Sequence, residues 1–192
     1  MRRILQAAGY TVTVIDYNAQ HLENMKVFGV RQYYGDATRP DMLHAAGIDE
    51  AKIFVIAIDD KEKITELAHY IHHNHPNVHL IARAVDRHHV YQLWAAGCRD
   101  IIRETYDSSL RMGRSVLEAF GIERETADKM IAEFSDMDRK SMVHVADLYR
   151  SDIHPTQNQP YIEAVKEISG PWVEELNRKM NAIRAQGSDE GT

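Results

Sequence analysis

The chain has 192 residues, of which 44% are hydrophobic and 27% charged, and its formal net charge is −6. These values are typical of a soluble globular protein, and the negative charge argues against a general nucleic-acid-binding or anionic-membrane-binding surface. The single cysteine, Cys98, excludes an intramolecular disulfide and fits a reducing compartment. Because no apolar run approaches the ~20 residues needed to span a bilayer, we expect any membrane association to come from a segment outside this sequence.

Strand-like and helix-like segments alternate over the first half of the chain. In order, the pattern predicts a helix over 2–8, a strand over 10–16, a helix over 18–29, a strand over 30–34, a helix over 40–46, a strand over 52–58, a helix over 60–75, a strand over 78–84, a helix over 86–96 and a strand over 100–103. This alternation is typical of parallel β-α-β units and favours an α/β fold, a Rossmann-like doubly wound parallel sheet. Because Met1 falls inside the first predicted helix, we expect the first strand and its glycine-rich turn upstream of this sequence.

Acidic residues follow three of the predicted strands. Asp16 ends the first, Asp36 follows the second, and Asp59 and Asp60 follow the third. The carboxyl ends of parallel strands meet at the edge where open α/β sheets bind ligands, and an acid there can accept hydrogen bonds from ribose hydroxyls. The simpler interpretation of each acid is a polar strand end that contacts no ligand.

Beyond residue 104 the pattern becomes helical. Helices are predicted over 104–120 and 124–149, with a weaker one over 160–186 that Gly170 and Pro171 interrupt, and a polar, mobile tail over 187–192. We divide the chain into a Rossmann-like domain with a crossover helix over 1–122, and a C-terminal helical extension over 123–192. The long helix over 104–120 favours packing against a second copy, hence a homodimer, although it could equally fold back on its own domain.

Histidines concentrate late in the helix predicted over 60–75. His69 and His73 have the i, i+4 spacing that can chelate a metal ion, and His72 and His75 lie close by. Because no acid or cysteine lies beside them in the sequence, the pattern favours a solvated helix face, and we predict no metal site.

No residue pattern predicts an enzyme. Cys98 follows Gly97 in a predicted turn without a nearby base, and no serine, cysteine or carboxylate pair forms a catalytic constellation. His88 and His89 are assigned to the solvated start of a helix.

Seven short motifs occur in order along the chain: Val14-Ile15-Asp16, Val27-Phe28-Gly29, Tyr34-Gly35-Asp36-Ala37-Thr38-Arg39, Ala57-Ile58-Asp59-Asp60, Ile81-Ala82-Arg83-Ala84, Ala96-Gly97 and Arg103-Glu104-Thr105-Tyr106. Taken together they resemble the cytosolic regulatory domain called KTN or RCK, specifically that of the Kef-type glutathione-gated potassium efflux systems. The similarity covers residues 2–150. It implies a domain that sits behind a membrane antiporter at the cytoplasmic face of the inner membrane. In such systems glutathione holds the transporter shut, and glutathione conjugates of electrophiles open it.

The resemblance also implies an adenine nucleotide, AMP or NAD(H), in the Rossmann crevice. Asp16 matches the family's ribose-binding acid, and Asp36 with Ala37 matches the position beside the adenine ring. An acid at Asp16 pairs with free 2′-hydroxyls and repels a 2′-phosphate. The sequence departs from the family pattern in lacking the G-x-G-x-x-G turn, whose backbone N–H groups cradle the pyrophosphate.

A glutathione site is implied by four further matches. Arg3 matches the basic residue near the end of the first helix, and Arg103 matches the arginine of the Arg-Glu-Thr motif. Two arginines suit a tripeptide with two carboxylates, since each can bind one bidentately. Phe28 matches the aromatic residue that senses bulk on the conjugated sulfur. Asp138 falls where some members carry asparagine, and its carboxylate could bind the ligand's amino group.

The partners implied by the resemblance are a second copy of the domain, the upstream membrane antiporter and an ancillary quinone oxidoreductase, with no nucleic acid. Two other function classes stay open. A regulatory subunit of a potassium uptake system would have the same fold and no response to glutathione. A fragment of an NAD-dependent oxidoreductase would transfer hydride to a substrate.

Overall fold

The computed structural model describes residues 1–18 and 31–189, and strands alternate with helices as far as Arg103. The strands are β1 (Thr13–Asp16), β2 (Arg31–Tyr34), β3 (Ile53–Ile56), β4 (His79–Ala84) and β5 (Asp100–Arg103). The helices are α1 (Arg2–Ala7), α2 (Pro40–Ala46), α3 (Lys61–Asn74), α4 (Arg87–Ala95), α5 (Tyr106–Ala119), α6 (Arg124–Leu148), α7 (Gln159–Ser169) and α8 (Pro171–Asp189), and 3-10 turns cover Ile48–Glu50 and Pro155–Gln157. The helix predicted over 18–29 lies outside the described residues.

The strands form two parallel sheets. β1 pairs with β2, from Thr13 opposite Arg31 to Asp16 opposite Tyr34, and β3, β4 and β5 form the second sheet in that order. A doubly wound sheet has the strand order 3-2-1-4-5-6. The sheet β2-β1 matches strands 3-2 of that order, and the sheet β3-β4-β5 matches strands 4-5-6, so the two sheets correspond to the two sides of strand 1. The Rossmann-like prediction is therefore confirmed, and no strand within the described ranges lies between β1 and β3.

A shared apolar core holds the two sheets together. Leu43 of α2, Ile64 and Ile71 of α3 and Leu93 of α4 are almost completely buried, and Ile15 of β1 packs against the same cluster. Burying an aliphatic side chain of this size contributes about 1.5–3 kcal/mol relative to leaving it exposed. The first sheet is thus attached through side-chain packing, although no backbone ladder among residues 1–18 and 31–189 connects it to the second.

Two acidic residues begin the helices that follow β3 and β4, as predicted. Asp60 Oδ1 accepts the backbone N–H of Lys63 at 3.0 Å, and Asp86 Oδ1 accepts that of His89 at 2.7 Å. Each carboxylate satisfies an N–H group that has no partner inside its helix. The two caps fix the N-termini of α3 and α4 at the carboxyl edge of the second sheet.

The C-terminal helices pack on α6. Trp172 Nε1 of α8 donates to the carbonyl of Met137 at 3.3 Å, its ring lies 6.0 Å from that of Phe134, and Lys179 Nζ lies 2.5 Å from Glu133 Oε1. These contacts fix α8 along α6. The break predicted between α7 and α8 occurs where expected, at Gly170.

The tail predicted from residue 187 begins too early. Helix α8 continues through Gly187 to Asp189. A Cβ atom at position 187 would lie 2.2 Å from Thr126 Oγ1 of α6, so glycine permits close approach of the two helices there instead of ending α8. The sequence predicted that the polar tail starts at this glycine, because glycine is frequent just after the end of a helix.

His89 is completely buried, so its predicted solvated position is wrong. Its Nδ1 accepts the Val85 backbone N–H at 3.1 Å, and its Nε2 lies 3.1 Å from Thr65 Oγ1, whose hydroxyl donates to the Lys61 carbonyl at 3.0 Å. This pattern requires a neutral ring with its proton on Nε2. Burial, followed by the nearby Lys61 ammonium, lowers the pKa of His89.

We expect His89 to make the protein sensitive to acid. Because its pKa is lower in the folded than in the unfolded chain, the unfolded state takes up the proton first as the pH falls below about 6.5. The free energy of unfolding should decrease from about pH 7.5 to about pH 5 more steeply in the wild type than in His89→Gln. Urea unfolding at a series of pH values measures both slopes, and equal slopes would contradict the assignment.

Candidate ligand-binding site

Asp16 and Asp36 lie together at the carboxyl edge of the first sheet. Asp16 ends β1 opposite Tyr34, and its carbonyl accepts the backbone N–H of Gly35 at 3.1 Å, immediately before Asp36. Its carboxylate accepts the backbone N–H of Asn18 at 2.9 Å. Both acids are half-buried. The sequence therefore located two neighbouring carboxylates correctly at a sheet edge of the kind that binds ligands in this fold class.

The Asp36 side chain is held in the short loop between β2 and α2. Its Oδ1 accepts from the Thr38 backbone N–H at 3.0 Å and from the Thr38 hydroxyl at 2.8 Å, and its Oδ2 lies 3.7 Å from Lys63 Nζ of α3. The Thr38 backbone hydrogen bond is the main cause that lowers the pKa of Asp36, so the group is ionised at neutral pH. Ala37, between Asp36 and Thr38, is also half-buried. Lys63 was not identified from the sequence.

Arg83 of β4 links the residues that follow the two neighbouring strands, β3 and β5. Its Nη2 donates to the Ile58 carbonyl at 3.0 Å and to Asp59 Oδ1 at 2.6 Å, and its Nη1 donates to Glu104 Oε1 at 3.1 Å. Its Nε is buried without a hydrogen-bond partner among the described residues. The sequence singled out Arg83 only as a member of the motif Ile81-Ala82-Arg83-Ala84. A charged residue within an otherwise apolar strand was the signal that could have revealed its role.

The second predicted group centres on Asp138 of α6, whose side chain is only 4% exposed. Arg87 Nη1 donates to its Oδ1 at 2.5 Å, and Arg103 Nη2 donates to its Oδ2. Arg87 also donates through Nη2 to Ser141 Oγ at 2.9 Å and through Nε to the Tyr91 hydroxyl at 3.1 Å. Arg103 and Asp138, both predicted as ligand contacts, thus bind one another, and Arg87 joins them. We call these three residues the Asp138 cluster.

Arg103 reaches this position from the end of β5. Its guanidinium group lies over the Tyr106 ring, 3.5 Å from the ring centroid, which is within the range of a cation–π contact. Thr105, two residues after Arg103, has a φ of 63°. That conformation is rare for a β-branched residue and tends to occur at functional sites. It turns the chain from β5 directly into α5, beneath the Asp138 cluster.

The remaining predicted ligand residues are not joined to this cluster by the contacts above. Arg3 is exposed in α1. Phe28 lies outside the described residues, so its role as a sensor of sulfur substituents stays a prediction. The Asp138 cluster is nevertheless well suited to an anion, because it places two guanidinium groups around one carboxylate and so carries an excess of one positive charge.

Cys98 does not serve as a nucleophile in this structure. The Cys98 side chain is completely buried, and burial raises the pKa of its thiol to about 11. A thiol with so high a pKa is not a nucleophile at neutral pH.

None of the described helices is both long enough and apolar enough to cross a membrane.

Two family models match the chain: the TrkA-N domain over residues 1–104, and the potassium efflux system KefB C-terminal domain over residues 108–191. A curated relative, the glutathione-regulated potassium-efflux system protein KefC of Cronobacter sakazakii, is 34% identical over 166 residues. That match covers 81% of this chain and 27% of the relative, so the chain spans about a quarter of the relative's length.

Two solved structures extend the comparison. The Shewanella denitrificans Kef CTD in its AMP-bound form superposes with a TM-score of 0.71 at 34% identity, over 78% of this chain and 90% of that one. The GsuK channel bound to NAD superposes with a TM-score of 0.53 at 25% identity, over 65% of this chain and 22% of that one. The chain therefore belongs to the TrkA-N domain family, in the form found in Kef-type potassium efflux systems.

Proposed function

We propose that this chain is the cytoplasmic regulatory region of a glutathione-gated K+/H+ efflux antiporter, and that it binds an adenine nucleotide and glutathione or its conjugates. The observation that carries the proposal is the Asp138 cluster. It joins the TrkA-N part to the KefB C-terminal part through a buried carboxylate and two arginines, in a chain related to glutathione-regulated proteins. A ligand that competes for those arginines would act on the contact between the two parts.

Adenine nucleotide is proposed to bind at the carboxyl edge of β1 and β2. Support comes from the half-buried carboxylates of Asp16 and Asp36, from the AMP-bound Kef relative and from the NAD-bound GsuK channel. Asp16 would accept hydrogen bonds from the ribose hydroxyls, and Asp36 with Ala37 would contact the adenine ring and its exocyclic amine. Lys63, whose Nζ lies 3.7 Å from Asp36 Oδ2, helps the Thr38 hydrogen bonds to lower the pKa of Asp36 and so keep this acceptor ionised.

Glutathione is proposed to bind beside Arg103. In the described structure Arg103 donates to Asp138 through Nη2 alone, so Nε and Nη1 remain available for a ligand carboxylate. Asp138 would bind the ligand's ammonium group, and Arg3 and Phe28 would complete the site as the resemblance implies. A carboxylate that replaced Asp138 on Arg103 would leave Asp138 paired with Arg87.

Gating then follows as a population shift between two arrangements of the regulatory region. Glutathione would stabilise the arrangement that keeps the antiporter closed, and a conjugate with a bulky group on sulfur would stabilise the other. The ion path belongs to the membrane part of such a system. Substitutions in this chain should therefore change regulation without abolishing transport.

A second copy of this chain is the proposed partner of α5. No residue of α5 is buried, and Met112 and Val116 are 62% and 53% exposed on one face, which Phe120, 82% exposed, continues past the helix end. Exposed apolar faces of this kind are typical of protein interfaces. An ancillary quinone oxidoreductase, which the resemblance implies, stays a prediction.

The nucleotide proposal predicts a specific loss of AMP affinity. Asp16→Ala removes the acceptor for the ribose hydroxyls and should weaken AMP binding roughly tenfold or more, since a hydrogen bond to a charged group contributes about 1.5–3 kcal/mol. Asp152→Ala is the matched control, because Asp152 is an exposed acid paired with Arg150 in a different part of the chain. Calorimetric titration with AMP measures both, and equal affinities would contradict the assignment of Asp16.

For glutathione, Arg103→Ala should weaken binding by a comparable factor, because it removes a charged donor from the ligand carboxylate. Arg150→Ala, which removes an exposed arginine bound to Asp152, should leave the affinity unchanged. Titration of the chain with reduced glutathione tests both variants. Unchanged binding by Arg103→Ala, with its folding verified by circular dichroism, would exclude Arg103 as a contact.

The dimer proposal predicts the effect of a charge on the apolar face of α5. Val116→Glu should convert a dimer to a monomer, because a carboxylate at the interface would be desolvated without a partner. Arg111→Glu changes charge at an exposed position away from that face and is the control. Light scattering after gel filtration gives the molar mass, and a wild-type chain that is already monomeric would exclude this interface.

A further inference from the structure

We propose that His44, Asp49 and His75 bind one divalent first-row transition metal ion, of the Zn²⁺ type. His44 lies in the last turn of α2, Asp49 in the 3-10 turn that follows, and His75 at the C-terminal end of α3. One ligand atom from each side chain lies within 4.8 Å of the others. The proposal is independent of the nucleotide and glutathione sites, because α3 begins at the candidate ligand edge and ends here, 14 residues and about 21 Å away.

The distances between the side chains fit a shared ion. His44 Nδ1 lies 2.7 Å from Asp49 Oδ2, and His75 Nδ1 lies 3.7 Å from Asp49 Oδ1. Tetrahedral zinc with ligands at about 2.0–2.2 Å separates neighbouring ligand atoms by roughly 3.4 Å. His75 Nδ1 and Asp49 Oδ1 already have about this spacing. Because His44 contacts the other oxygen of Asp49, its side chain would turn toward an ion held by Oδ1, which is feasible because His44 and Asp49 are 51% and 61% exposed.

The His75 ring is not explained by a structural role. Its side chain is only 9% exposed, and its Nε2 is buried without a hydrogen-bond partner among the described residues. Its Nδ1 is too far from Asp49 for a hydrogen bond. By contrast, both nitrogens of the buried His89 are hydrogen bonded. An ion bound to Nδ1 would bridge this nitrogen to Asp49, and the ring proton would then lie on Nε2.

The backbone holds these residues in place before any ion binds. The His75 N–H donates to the Ile71 carbonyl at 2.9 Å, and the His75 carbonyl accepts from the Val78 N–H at 3.0 Å. Ile48, next to Asp49, is buried in the same core as Ile71. Such preorganisation reduces the entropic cost of binding. An ion here would link the α2 segment to α3 and stabilise the core between them.

The donor set indicates the class of ion. Two imidazoles and one carboxylate, with a fourth position open to water, are typical of Zn²⁺ and also accept Ni²⁺ or Cu²⁺, whereas Mg²⁺ and Ca²⁺ prefer oxygen ligands. No sequence spacing links these residues, because they lie in three different elements. The histidines considered from the sequence, His69 and His73, stack on each other at 6.4 Å on the exposed face of α3, without an acid between them.

Titration of the metal-free 192-residue chain with Zn²⁺ alone tests the proposal. We expect one site per chain in calorimetry, and a tetrahedral absorption band when Co²⁺ replaces Zn²⁺. His44→Gln and Asp49→Asn should each weaken Zn²⁺ binding at least tenfold, since loss of an outer-shell partner alone costs roughly 10- to 100-fold. The double variant His69→Ala/His73→Ala is the matched control and should keep the site.

Both ligand variants change exposed side chains, so neither should prevent folding, and circular dichroism verifies this. As a second measurement, Zn²⁺ should raise the thermal midpoint of the wild type and of the double control variant, and have no effect on His44→Gln. The proposal is overturned if Zn²⁺ does not bind stoichiometrically, if all variants bind it equally, or if only the double variant loses it. The last result would assign the ion to His69 and His73.

Discussion

The Asp138 cluster is the interaction on which the relation between the two parts of this chain depends. A carboxylate on α6 that is 4% exposed contacts an arginine from the start of α4 and another from the end of β5. Removing one member of such a buried pair costs about 3–5 kcal/mol, because it leaves a desolvated charge without its partner. That is a large fraction of the 5–15 kcal/mol that stabilises a typical domain. The carboxyl edge of the second sheet and the C-terminal helices are therefore energetically coupled through three side chains.

The charge of the same cluster favours the binding of a small anion, as proposed above. Two arginines and one carboxylate leave a net positive charge in a partly desolvated position, where electrostatic interactions are stronger than in water. In the proposed mode of binding, an incoming carboxylate would replace Asp138 on Arg103. Arg103 and Arg87 each use one nitrogen on Asp138, and Arg103 also lies against the Tyr106 ring. Arg87, with contacts to Ser141 and Tyr91 as well, is the more firmly held of the two.

The sequence predicted what depends on local pattern and failed where distant residues meet. The strand ends at Asp16 and Asp36 and the helix cap at Asp60 follow from short-range periodicity and backbone chemistry, and they were located correctly. Arg87 and Asp138 are 51 positions apart, so their contact follows from the packing of α6 against the sheet domain. His89 was misjudged because a histidine in a helix start is usually solvated, whereas here Val85 and Thr65 supply both of its hydrogen bonds. In each failure the deciding partner comes from another element.

Helix α3 connects the two regions to which we assign ligands. At its N-terminus Asp60 fixes the cap and Lys63 approaches Asp36, so this end belongs to the edge proposed for nucleotide. At its C-terminus His75 approaches Asp49, and between the two ends Ile64 and Ile71 are completely buried. A helix packed in this way moves as a unit, because close-packed interiors do not deform continuously. The chain from Asp36 to Asp49, which contains α2, approaches both ends of α3: Asp36 lies 3.7 Å from Lys63, and Asp49 lies 3.7 Å from His75. A nucleotide and a metal ion bound as proposed would therefore contact opposite ends of one closely packed helix.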